Sequence, residues 1–70
     1  MGKINDTKEL GNTLRLRRLS LNLSQKALAE RCNMVYATVC AAELGREISV
    51  RNLIKICDNL GFKITLSPIE

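Results

Sequence analysis

SQKALAERCNMVYATVCAAEL, residues 24–44, reads as two short helices joined by a tight turn. Ser24 is a natural N-cap, because its hydroxyl can accept a backbone N–H from the first turn of the helix that follows. Ala27, Leu28 and Cys32 then fall on an inward face, and Lys26, Glu30 and Arg31 on an outward one. Asn33 comes where the chain must adopt a positive φ, which asparagine tolerates best after glycine. The second of the pair is expected from about Val35 to Leu44, with Val39 as its main inward residue and Gly45 as its stop. Its start is uncapped, since Val35 stands where Ser or Thr would serve, an omission worth about 1 kcal/mol.

Working outward, Asp6 and Glu9 have the spacing of a capping box, and Leu10, Leu14 and Leu21 fall near one face of a preceding helix that ends around Leu21. Asn22 suits the left-handed residue that closes it. Downstream, Ser49 caps a further helix in which Val50, Leu53, Ile54, Cys57 and Leu60 recur at three- and four-residue intervals, and Gly61 ends it. Residues 62–67, Phe62, Lys63, Ile64, Thr65, Leu66 and Ser67, alternate apolar and polar until Pro68, the period of a half-buried strand. A single strand cannot satisfy its own backbone, and nothing else in the chain has strand character.

Seventy residues allow one domain. A core of that size is usually good for roughly 3–5 kcal/mol, so self-association is expected. Apolar residues make up 46% of the chain but the aromatics are only Tyr36 and Phe62, so the core must come from aliphatic side chains, alanine and cysteine. Eleven Lys and Arg against seven Asp and Glu leave a net charge of +4, compatible with a polyanionic partner without demanding one. Lys3, Asp6, Lys8 and Glu9 interrupt any signal-peptide core, and no run of about 18 apolar residues exists, so a cytoplasmic location and no membrane partner are expected.

Cys32, Cys40 and Cys57 are odd in number, lack CxxC spacing and have no histidine to complete a metal site. They read as small apolar residues, Cys40 on the more exposed face. The absence of histidine, of paired carboxylates and of a glycine-rich phosphate loop argues against an enzyme, and no cofactor is expected.

The pair at residues 24–44 is a helix-turn-helix, whose second helix is free to enter a groove of DNA. With its surroundings it resembles the Xre family, related to lambda repressor and Cro. The resemblance covers Leu10 to Gly61 and rests on Leu14 and Arg18, LSQKALAERC, Thr38-Val39, Glu43-Leu44-Gly45, Ser49 and LIKICDNLG. It implies an all-α, four- to five-helix, lambda-repressor-like DNA-binding domain. The chain then divides into a flexible segment 1–8, the domain 9–61, and a short dimerisation strand with its tail, 62–70.

The resemblance also implies roles. Gln25, next to the cap of the second helix, would meet the DNA backbone, where free N–H groups and the positive helix end attract phosphate. Arg18 and Glu43 would form a structural ion pair. Base reading would fall to Val35, Tyr36, Ala37, Cys40 and Ala41, with Thr38 nearby. These are unusual residues for the task, because base edges are distinguished mainly by hydrogen bonds. Lys26, Arg46 and Arg51 are placed to neutralise phosphates, each through counterion release.

The strand resembles that of HipB-type antitoxins, which pairs with its twin across a two-fold axis and so makes a homodimer. The partners implied are double-stranded DNA, a second copy of the chain and, for an antitoxin, a toxin protein. The function implied is transcriptional repression by operator occupancy. The alternative is a protein–protein interaction module that keeps the fold without reading bases, suggested by the apolar outer face of the third helix and by Leu16 and Leu19 on the first.

Overall fold

The computed structural model describes residues 3–69; residues 1, 2 and 70, the outermost parts of the expected flexible segment and tail, lie outside the described residues. Four helices follow in order, α1 Thr7–Ser20, α2 Gln25–Cys32, α3 Tyr36–Glu43 and α4 Val50–Asn59.

Three of the four begin on a side-chain cap. The Asp6 carboxylate accepts the Glu9 N–H at 2.7 Å, and Ser24 and Ser49 accept the N–H groups of Ala27 and Asn52, each at 3.0 Å. Glu9 returns the favour one residue early, accepting the N–H of Asn5 at 2.8 Å. Only α3 has no side-chain cap, because Val35 has no acceptor to offer. The exits are equally local: Asn22 and Asn33 take φ of 57° and 53°, and Gly45 and Gly61 take 76°. After Asn22 the Leu23 N–H reaches back to the Arg18 carbonyl at 3.2 Å, tying off the last turn of α1.

The core gathers Leu14 from α1, Leu28, Ala29 and Cys32 from α2, Val39 and Ala42 from α3, and Ile56, Cys57 and Leu60 from α4 and its cap. Helix α3 lies between α1 and α2, and α4 closes against α2 and α3. Gly11 makes the α1–α3 packing close: a methyl group there would sit 2.5 Å from the Glu43 carbonyl oxygen and 2.7 Å from that of Ala42.

Several inward assignments need correction. Leu21 is exposed, because α1 has ended and the chain is already turning away. On α2 the buried alanine is Ala29, while Ala27 is half-buried. On α4, Ile56 is in the core while Val50 and Ile54 are 71% and 45% exposed. The apolar residues of that helix form one broad arc opposite its polar face, and Val50 and Ile54 lie at the edge of the arc that the neighbouring helices leave uncovered.

The C-terminal strand is also corrected. No strand forms among the described residues, and 63–69 run exposed beyond the last helix. The reason is physical: a β-ladder needs a second strand, and there is none among the described residues. Phe62 does not belong with that segment. Its N–H bonds to the Cys57 carbonyl at 2.8 Å and its half-buried ring packs on the core of its own chain.

Candidate nucleic-acid interface

The site is assembled where the start of α2 meets the outer side of α3. The left-handed turn at Asn33 swings α3 across α2, and Val39, fully buried, pins the crossing. This rotation leaves Val35, Tyr36 and Ala37 exposed and Thr38, Cys40 and Ala41 half-buried.

Arg18 and Glu43 support the crossing from behind. The Arg18 guanidinium donates to both carboxylate oxygens of Glu43, at 2.6 and 3.1 Å, and to the Leu23 carbonyl at 2.7 Å. The hydrogen bond to Glu43 holds the guanidinium pKa above its ordinary value against the opposing effect of burial. The guanidinium thus has charge-assisted partners in the Glu43 carboxylate and a further acceptor in the Leu23 carbonyl.

Gln25 extends this pair to the surface. Its amide nitrogen donates to Glu43 at 3.0 Å, while its carbonyl oxygen lies 3.3 Å from the Tyr36 hydroxyl and 3.5 Å from the Cys40 sulfur. Cys40 is consequently less exposed than its helical position suggests, because Gln25 leans over it. The adjoining Cys40 thiol raises the Tyr36 phenol pKa above its ordinary value.

The cations fall around this face. Lys26 is exposed beside Gln25, with its ammonium 6.0 Å from the centre of the Tyr36 ring. Arg46 is exposed just past α3, and Arg51 is exposed in the first turn of α4. None of the three takes part in an ion pair among the described residues. Of residues 62–67, assigned to dimerisation, Phe62 is half-buried and 63–67 lie exposed beyond α4, with Ile64 49% and Leu66 92% accessible.

Two supporting residues escape a reading of the sequence. Arg17 donates to the Leu60 carbonyl at 2.8 Å and lies 5.8 Å from the centre of the Phe62 ring, so it binds α1 to the end of α4. Nothing local to Arg17 announces this. Gly11 did leave a signal: a glycine inside a helical pattern often marks close backbone approach.

The helix-turn-helix family model matches residues 14–66. No curated protein sequence matches the chain. Among solved structures, a chain of the HipA-HipB-O2-O3 complex superposes with a TM-score of 0.88 at 24% identity, covering 100% of both chains. A chain of a HipB-O1-O2 complex gives 0.87 at 25% identity, covering 97% of this chain and 100% of that one. The restriction-modification controller protein C.AhdI from Aeromonas hydrophila gives 0.75 at 29% identity over 81% of this chain and 88% of its own. No described helix is long and apolar enough to cross a membrane. The matched span takes in every element from the core of α1 to the residues beyond α4, and the chain belongs to the Xre-like helix-turn-helix family.

Proposed function

We propose that this protein is a DNA-binding transcriptional regulator, a repressor that docks as a dimer with α3 of each subunit in the major groove of operator DNA. The observation that carries the reading is Gln25. It sits at the start of α2 with its amide fixed beside the outer face of α3, the arrangement that lets one element grip a phosphate while the next meets base edges. Lys26, Arg46 and Arg51 add phosphate contacts around it. Repression by this route needs occupancy of a site and no chemistry.

Dimerisation through residues 63–67 accounts for the alternating sequence that stays exposed in a single chain, because pairing with a twin would satisfy its open backbone edge. Such a dimer must present its two α3 helices about 34–36 Å apart to reach consecutive major grooves. The likeness in fold to HipB, and the solved HipA-HipB-O2-O3 complex, favour a role as the antitoxin of a toxin–antitoxin pair. C.AhdI, a restriction-modification controller protein, supports the broader regulatory reading.

The alternative of a protein–protein interaction module is favoured by Leu16 and Leu19, 54% and 45% exposed on α1, and by Val35 at 68%. Binding to a duplex from upstream of the protein's own gene, and to an unrelated duplex, across a salt series separates the two. The regulator binds its own duplex more tightly, with affinity falling steeply as salt rises. Gln25→Ala weakens both. If neither duplex binds at low salt, the interaction module stands instead.

A further inference from the structure

The hydrogen bonds that run from Arg18 to Tyr36 have a fixed direction, and that direction reaches the surface. Arg18 can only donate, and the Glu43 carboxylate it grips can only accept. The Gln25 atom 3.0 Å from Glu43 must therefore be the amide nitrogen, which settles the orientation of the amide. Its carbonyl oxygen is then turned towards α3, where Tyr36 and Cys40 lie within reach as donors. A phenol has one proton to give. Given inward, it leaves only lone pairs facing out.

The outer face of α3 thus presents an acceptor at the Tyr36 oxygen, on a helix whose start and outer side also carry the exposed Val35 and Ala37 and the half-buried Ala41. In the major groove guanine shows only acceptors, adenine and cytosine each offer an amino donor, and only thymine carries a methyl. An A·T pair is the one pair that supplies both a donor and a methyl. Resting on the reading of the chain as a major-groove binder, we propose that Tyr36 is a specificity residue for A·T pairs, accepting from the adenine amino group while the neighbouring methyls pack on thymine, and that Glu43 and Gln25 are the positioning residues that set its polarity. Reading guanine instead would require Tyr36 to turn its proton outward, leaving the Gln25 carbonyl with only the weak thiol donor of Cys40.

The test is selection from a pool of random-sequence duplexes by the full chain, followed by binding to the selected duplex with single-base analogues. The expected result is an A·T pair at a fixed place in each half-site. Replacing its adenine by 2-aminopurine, which moves the amino group out of the major groove, weakens the natural protein about two- to tenfold, the worth of one hydrogen bond. The same replacement leaves Tyr36→Phe unaffected, while deoxyuridine in place of thymidine weakens both proteins. Gln25→Ala frees the Tyr36 proton and shifts selection towards guanine at that place, a change in preference that loss of structure alone would not produce. Selection of G·C by the natural protein, or an equal 2-aminopurine effect in Tyr36→Phe, overturns the assignment. Enrichment of no duplex at all overturns the regulator reading together with it.

Discussion

Arg18 and Glu43, 25 residues apart, meet in a bidentate ion pair whose side chains are only 9% and 4% exposed. A charge buried this deeply is costly when left alone. Glu43→Ala is expected to destabilise the fold by about 3–5 kcal/mol, because the stranded guanidinium keeps only the Leu23 carbonyl. Arg18→Met combined with Glu43→Leu is expected to recover most of the loss, since no unpaired charge remains. Chemical denaturation of Arg18→Met, Glu43→Leu and the double variant measures the coupling, and additive losses would contradict the interdependence.

The close approach of α1 to α3 at Gly11 sets a second expectation. Helix propensity alone favours alanine over glycine by about 1 kcal/mol. Here the added methyl meets two rigid carbonyl oxygens at 2.5 and 2.7 Å, so Gly11→Ala is expected to destabilise by about 1–3 kcal/mol. A rise in melting temperature would show that α1 shifts freely and that the contact is not tight.

Dimerisation has to be tested without touching the core. Because Phe62 packs on its own chain and on Arg17, a cut before it confounds loss of pairing with loss of stability. Removing residues 63–70 is expected to give a folded monomer by sedimentation and to weaken binding to a palindromic duplex. Phe62→Ala is expected to lower the melting temperature of monomer and dimer alike. An unchanged dimer mass after the truncation rules out pairing through this segment.

The cysteines divide two to one. Burial pushes the thiols of Cys32 and Cys57 up, and the Cys32 sulfur also lies 3.7 Å from the Lys55 carbonyl. At neutral pH an aromatic disulfide reagent is expected to modify Cys40 first and the other two only on unfolding. In alkali the unfolded chain releases these two protons before the folded chain does, so stability falls as pH rises past the ordinary thiol range. A melting temperature that holds level through that range would argue against the upward shift.

What the sequence discloses and what it hides divides by distance along the chain. The caps at Asp6, Ser24 and Ser49, and the stops at Asn22, Asn33, Gly45 and Gly61, act over three to five residues and were all legible. The choice of Ile56 over Ile54 was not, because only the neighbouring helices decide which arc of α4 is covered. The position of Gln25 was readable from its cap. The direction of its hydrogen bonds was not, since that depends on Glu43, 18 residues away. The strand failed for a related reason: alternation reports a wish for a partner, and a lone chain does not contain one.

The Arg17 bond to the Leu60 carbonyl spans 43 residues, joining the first helix to the end of the last, although α1 packs chiefly on α3. Helices and their neighbouring turns assemble early, from contacts close in sequence, whereas this link must wait until α2 and α3 have already docked. It is therefore expected to form late, after the folding barrier is crossed. Replacing Arg17 with methionine is expected to leave the refolding rate nearly unchanged and to speed unfolding, as read from both limbs of a denaturant-dependent kinetic plot. For a small protein with a modest core, the lifetime of the folded state then rests in part on one arginine that has no claim on the surface where DNA would lie.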